Sequence, residues 1–244
     1  MGHVAGADRV VNLIQTLLDG QQKMIQPEQN AKHKHQRIEY CTLFAFSTEN
    51  WSRPQREISA LFKIIERMAI QYRQDEAVRA GTIQIDILGN LDDERIPEAT
   101  RRELRVLQML CRENCRRRME DAKDNGDPHN VLTICLAINY GGRADILQAT
   151  QKLAQSILSG ELSPDALMDE SEISKRLCTA HLPDPDLIIR TGGEKRLSNF
   201  LLWDAAYAEI YFSDVLWPDF DESALDKALL WYGKRKRRFG GRVE

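Results

Sequence analysis

The stretch VLTICLAINYGGR, residues 131–143, is a β-strand running into a polar, glycine-bearing turn. Val131 to Ala137 is apolar except for Thr133 and lacks the alternation of a strand with one wet face. Strands of that kind are buried on both sides, as in a parallel sheet covered by helices. Asn139-Tyr140-Gly141-Gly142-Arg143 ends the strand, and helical spacing follows over about 143–158.

The same unit recurs on both sides. Upstream, Tyr40 to Phe46 is a short apolar run closed by Ser47-Thr48-Glu49-Asn50. Pro54 and helical spacing over 56–79 follow, through Ile58, Leu61, Ile64, Ile65, Met68 and Ile70. Ile83 to Leu88 is the next strand, ended by Gly89-Asn90, and a long charged helix covers 96–124. Downstream, Leu187 to Arg190 runs into Thr191-Gly192-Gly193-Glu194, Ser198 reads as the N-cap of a helix, and Ala208 to Phe212 is the last strand. Further helices are expected at 7–19, near 170–178 and at 222–233, with a polar loop or insertion over 20–37. Strands alternating with helices predict an α/β fold, a mainly parallel central sheet flanked by helices. There is no internal repeat and no clear boundary, so 1–244 reads as a single domain.

Composition narrows the function. The chain has 244 residues, 42% hydrophobic and 29% charged, the usual balance of a folded globular protein. Its 34 Lys and Arg against 37 Asp and Glu leave a net charge of −3, which argues against a general nucleic-acid binder. The five cysteines are odd in number and form no Cys-x-x-Cys pair, so they read as reduced thiols. Cys111 and Cys115 are four apart on a helix, but two thiols do not complete a zinc site. No segment offers the ~20 apolar residues of a membrane span. The opening MGHVAGADRV lacks an apolar signal core, and Gly6 misses the myristoylation pattern. A cytoplasmic protein is expected.

Ligands of open α/β sheets bind beyond the carboxyl ends of the strands. Polar residues cluster at those ends: Ser47, Thr48, Glu49, Asn50, Trp51 and Arg53 after the first strand, Asn139 to Arg143 after the third, and Arg190, Gly192, Gly193, Arg196 and Ser198 after the fourth. The three loops are expected to converge on one crevice. Arginine forks beside glycine turns and helix N-termini suit a multiply charged oxyanion such as a diphosphate. The chain has neither a GxxxxGK[ST] loop nor GxGxxG, so those two nucleotide-binding routes are unsupported. The competing reading leaves the arginines solvated or paired with Asp184, Asp186 and Glu194.

Four stretches carry a family resemblance: FAFSTENWSRP (44–54), INYGGR (138–143), DLIIRTGGEKRLSNFLLWDAAYAEIYFSDVLWPDF (186–220) and RRFGG (237–241). From about residue 2 to 241 the chain resembles the cis-prenyltransferases, most of all the bacterial undecaprenyl diphosphate synthases, or isoprenyl transferases. The resemblance implies addition of isopentenyl diphosphate to an allylic diphosphate, usually farnesyl diphosphate, with each new double bond cis and with Mg²⁺ assisting departure of the diphosphate. The product would be a cis-polyprenyl diphosphate of the undecaprenyl or dehydrodolichyl type. It implies that Arg190, Arg196 and Ser198 hold isopentenyl diphosphate with Leu197 beside them. Asn50 would serve the proton-removal step, although an amide is a poor base and is better suited to orienting substrate or water. Ser47, Thr48, Glu49, Trp51 and Arg53 would line the site. Glu209 would bind Mg²⁺, and His3 would lie near the allylic diphosphate. Arg238 and Gly240, in Arg238-Phe239-Gly240, would reach toward the partner subunit of a homodimer. Contact with a membrane would be peripheral, through the lipid product. Phe62, Ile65, Met68, Ile87 and Leu136 are candidates to line the tunnel for the growing chain.

Two departures from the family pattern stand out. The family opens on a strand ending in Asp-Gly-Asn-x-Arg, whose aspartate is the main Mg²⁺ ligand; here the sequence starts after that point, at Met1-Gly2-His3. The polar stretch 20–36 is also longer than the usual connection. An N-terminally truncated domain lacking its first strand is therefore expected to be poorly stable and weakly active or inactive, because the sheet is left with unpaired backbone groups. A non-catalytic partner subunit of a cis-prenyltransferase, an inactive truncated product and a related enzyme of altered chemistry stay open as alternatives.

Overall fold

The computed structural model describes residues 2–25, 37–125, 131–163 and 169–235. The chain forms two compact units, Met1–Asn139 and Tyr140–Glu244.

The first unit opens on α1 (Gly2–Ile25), which buries Leu13, Ile14 and Leu17 and packs on α2. β1 (Tyr40–Ser47) leads into a 3-10 turn, Thr48–Ser52, and then α2 (Gln55–Tyr72) and α3 (Glu76–Arg79). Pro54 cannot continue the turn, and its carbonyl instead accepts the first free N–H groups of α2, from Glu57 and Ile58. β2 (Ile83–Leu88), α4 (Glu98–Asn125) and β3 (Leu132–Tyr140) follow. The strands make a three-stranded sheet in the order β1-β3-β2. β2 and β3 are parallel, in register from Ile83 opposite Leu132 to Leu88 opposite Ala137. β3 is central and is buried at every position except Leu136, as its solidly apolar sequence requires.

The second unit contains α5 (Gly142–Leu158), α6 (Glu170–Ser174), β4 (Leu187–Arg190), a 3-10 turn at Asp204–Tyr207, β5 (Glu209–Phe212), a second turn at Trp217–Asp219 and α7 (Glu222–Gly233). β4 and β5 form a parallel pair, Leu187 opposite Glu209 through Arg190 opposite Phe212. α7 starts at Asp221, whose carboxylate accepts the Ala224 N–H, and buries Ala224, Leu225 and Ala228. The β2–β3 and β4–β5 pairs are both parallel; α-helices lie between β1, β2, β3 and β4 along the chain, while β4 reaches β5 through a loop with one 3-10 turn.

Four expectations need adjustment. α1 runs well beyond 7–19 at both ends. The helix expected over 56–79 breaks after Tyr72, because the Asp75 carboxylate accepts the Ala77 and Val78 N–H groups and starts a new helix. β3 continues to Tyr140, through residues read as a turn. Ser198 caps no helix: Ser198, Asn199 and Leu201 have φ of 51°, 64° and 42°, and regular structure resumes only at Asp204. An N-cap needs extended backbone, whereas here the chain folds back so that Asn199 can hold the start of α5.

Candidate active site

At the carboxyl end of β1 the chain tightens into the turn Thr48–Ser52. The Arg53 N–H closes it on the Asn50 carbonyl at 3.1 Å, and the Ser52 hydroxyl donates to the Glu49 carbonyl at 2.8 Å. Asn50 is half-buried, and its Oδ1 accepts the Ser47 N–H at 2.9 Å. That bond fixes the amide: the acceptor is occupied and the NH₂ group is the part left to donate. Arg53 pairs with Glu57 at 3.3 Å, and the Thr48 hydroxyl donates to Glu49 at 3.2 Å.

Trp51 is held from several sides. Its ring packs on Phe62, with centroids 5.5 Å apart, and edge-on against Phe46 at 4.9 Å. Its indole N–H donates to Asn139 Oδ1 at 2.7 Å. Asn139 is buried, has φ of 51° and donates its amide N–H groups to the Asn90 carbonyl at 2.9 Å and to Asp93 at 3.1 Å. Asp93 in turn accepts a two-pronged bond from Arg95, at 2.9 Å from Nε and 2.6 Å from a terminal nitrogen. The Arg95 guanidinium lies over the Trp51 ring, 4.5 Å from its centroid. Those Arg95 bonds hold the Asp93 carboxyl down at about 2.

In the second unit, β4 ends at Arg190. Its Nε is buried and has no hydrogen-bond partner among the described residues. Gly192 and Gly193 follow with φ of 82° and 74°, and their N–H groups donate to the Val215 and Ser213 carbonyls at 2.8 and 2.9 Å. These glycines supply a left-handed turn that ties the end of β4 to the segment after β5; their N–H groups are already used. Arg196 is exposed and pairs with Glu194 at 2.5 Å, as the competing reading of the arginines foresaw. Leu197 is half-buried and Ser198 exposed, at the start of the left-handed run. Backbone strain of this kind is concentrated at functional sites.

The N-terminus of α5 is not an open anion site. Its Gly142 N–H donates to the Asn199 carbonyl at 2.7 Å, and the Arg143 N–H donates to Asn199 Oδ1 at 2.9 Å. Gly142 is there for close packing, since a Cβ would come within 2.9 Å of the Leu202 side chain. Deeper in this unit, Asp145 accepts the Cys178 N–H at 2.9 Å and its thiol at 3.2 Å, and Asp204 accepts the Thr179 hydroxyl at 2.7 Å. Burial pushes the Asp204 carboxyl up.

Glu209 opens β5, and its carboxylate accepts from Arg235 Nε at 3.0 Å. Among the described residues no three His, Cys, Asp or Glu side chains are grouped to hold a metal. The side chain of His3, and all of Arg238 and Gly240, lie outside the described residues.

A family model described as putative undecaprenyl diphosphate synthase matches residues 1–240. The chain belongs to this prenyltransferase family. It is 42% identical over 241 residues to the isoprenyl transferase of Prochlorococcus marinus, covering 99% of this chain and 77% of that one. It is 41% identical over 207 residues to the farnesyl-diphosphate-specific ditrans,polycis-undecaprenyl-diphosphate synthase of Escherichia coli, covering 84% and 73%. Among solved structures it resembles lavandulyl diphosphate synthase from Lavandula x intermedia in complex with dimethylallyl diphosphate, with a TM-score of 0.76, 28% identity and coverage of 98% and 88%. A probable undecaprenyl diphosphate synthase from Campylobacter jejuni gives a TM-score of 0.70 at 26% identity, covering 97% and 92%.

As a member of this family the chain is a transferase of prenyl groups. No helix among the described residues is long and apolar enough to cross a membrane. Reading the prenyltransferase sequence alone missed Asn90, Asp93, Arg95 and Asn199. Asp92-Asp93-Glu94-Arg95 looks like an ordinary charged loop, and its only sequence signal is a polar run directly after a buried strand.

Proposed function

We propose that the chain condenses isopentenyl diphosphate with an allylic diphosphate, farnesyl diphosphate, to build a cis-polyprenyl diphosphate. The allylic carbon–oxygen bond breaks and diphosphate leaves. The alkene of isopentenyl diphosphate attacks the freed carbon, and a proton is lost from the new chain. Arg190, Arg196 and Ser198, with Leu197 beside them, hold isopentenyl diphosphate. The observation that carries this is Arg190: a guanidinium with a buried Nε and no partner for it among the described residues suits an arriving oxyanion. Arg196 would exchange Glu194 for phosphate, a small cost for an exposed pair.

Ser47, Thr48, Glu49, Asn50, Trp51 and Arg53 line the site, and His3 lies near the allylic diphosphate. Asn50 presents its NH₂ and therefore orients a phosphate oxygen or a water rather than taking the proton itself. Mg²⁺ chemistry, which stabilises a departing diphosphate, is part of the proposal on family grounds; Glu209 would contribute to holding the ion after giving up Arg235. The prenyl chain lies along Ile65, Met68, Ile87 and Leu136, which are all incompletely buried, while Phe62 is wholly buried and backs Trp51.

The chain acts as one catalytic domain and as a homodimer, with Arg238 and Gly240 serving the partner. The exposed Tyr207, Phe212 and Leu216 support a second copy as a neighbour. It works in the cytoplasm and meets the membrane through its product. The test is incorporation of labelled isopentenyl diphosphate into organic-soluble product by the 244-residue chain, with farnesyl diphosphate and Mg²⁺. Incorporation, however slow, that Arg190→Ala reduces at least a hundredfold is expected. No incorporation by the unaltered chain overturns the reading in favour of a non-catalytic subunit.

A further inference from the structure

We propose that Arg95, acting through Asp93, Asn139 and Trp51, is the positioning residue of the turn that carries Asn50. This rests on the reading of the Thr48–Ser52 turn as part of the prenyl-transfer site. The turn is short, closed by the Arg53 N–H on the Asn50 carbonyl and the Ser52 hydroxyl on the Glu49 carbonyl. What locates it is Trp51, one residue from Asn50. An indole has a single donor, and here Asn139 takes it at 2.7 Å.

Asn139 has no freedom to turn. Its Oδ1 is committed to Trp51, and its NH₂ to the Asn90 carbonyl and Asp93. It sits at φ 51°, a conformation that costs a non-glycine residue free energy. The neighbouring Gly89, at φ 107°, lets the chain after β2 come against the Ile138 carbonyl, where a Cβ would be 2.3 Å away. The 89–95 loop is thereby pressed onto β3. Asp93 then holds both the Asn139 amide and the Arg95 guanidinium, and Arg95 covers the indole ring at 4.5 Å. The circuit is closed: Arg95, Asp93, Asn139, Trp51 and back to Arg95.

Arg95 is 60% exposed. A surface arginine paired only to a carboxylate contributes little. One fixed by two hydrogen bonds and stacked on an indole sets where that indole lies. Loosening it lets Trp51 and the Asn50 amide shift together, which lowers turnover more than substrate affinity.

The experiment uses the full chain labelled with 5-fluorotryptophan, the Trp51 resonance being assigned from Trp51→Phe. Arg95→Met and Asn139→Ala are each expected to move the Trp51 resonance. Arg95→Met should lower kcat about fivefold, with KM for isopentenyl diphosphate unchanged within about twofold. Arg95→Lys should recover most of that loss, and in the Trp51→Phe background Arg95→Met should cost nothing further. A Trp51 resonance that stays put in Arg95→Met overturns the inference. So does an undiminished loss in the Trp51→Phe background, which would mean that Arg95 touches substrate directly. Should Asn139→Ala fail to fold, the exposed Arg95 variants carry the test. Absence of turnover in the unaltered chain counts against the proposed reaction, and the fluorine resonance still decides the circuit.

Discussion

Gly89 is a position where one methyl group has a calculable effect. Its φ of 107° is open to glycine, and a Cβ would meet the Ile138 carbonyl at 2.3 Å and that of Asn139 at 3.0 Å. Both contacts are backbone, so neither can swing aside. Gly89→Ala is expected to cost about 2 kcal/mol or more and to lower the thermal midpoint by several degrees, read by circular dichroism. The sequence marked Gly89-Asn90 only as the end of a strand, because the need for glycine arises across the sheet rather than along the chain. The same limit explains Ser198. A serine before resumed apolar spacing is a sound N-cap signal, and only the long-range pull of Asn199 on α5 puts it in a left-handed bend instead. Asn50, Trp51, Arg190 and Arg196 were legible only as candidate site residues, because they follow strands, where ligands of this fold class bind.

Among the elements, β3 and its neighbour β2 carry the clearest consequence. Leu136 is the one incompletely buried residue of a strand flanked on both sides, and Ile87 stands opposite it and is incompletely buried too. A central strand normally has no spare surface. On the proposed reaction these two side chains would face the growing prenyl chain, and Leu136→Trp is expected to shorten the polyprenyl product by several isoprene units, seen by thin-layer chromatography of the dephosphorylated alcohols. The strands were legible because each is a short apolar run between polar turns. Their order, β1-β3-β2, was not, since parallel neighbours are chosen by contacts far apart in sequence. Nor was the break between α2 and α3, where apolar spacing continues and only the Asp75 cap interrupts it.

Across the whole molecule, acid sensitivity follows from which carboxyls are held. Asp93 is lowered from 3.8 to about 2 by the Arg95 bonds. Its ionised form is favoured by folding, so its contribution is complete above pH 3.8 and is lost as the pH falls toward 2. Glu113 and Glu172, held by arginine and lysine, act in the same sense. Asp184 and Asp204 act in the opposite one, because burial raises them and the fold favours their protonated form. The urea midpoint is expected to fall between pH 4 and pH 2, and Asp93→Asn should flatten part of that dependence, the rest being carried by the other held carboxylates. Asn199 has a consequence of another kind, in the order of events as the chain is made. It reaches back 56 residues to close the start of α5. During synthesis α5 leaves the ribosome with its first N–H groups facing water, and it stays so while the next 40 or so residues are added. The bend that presents Ser198 takes shape only when Asn199 arrives and docks. The bend after β4 is thus completed well after α5 has emerged, and α5 spends that interval without its final cap.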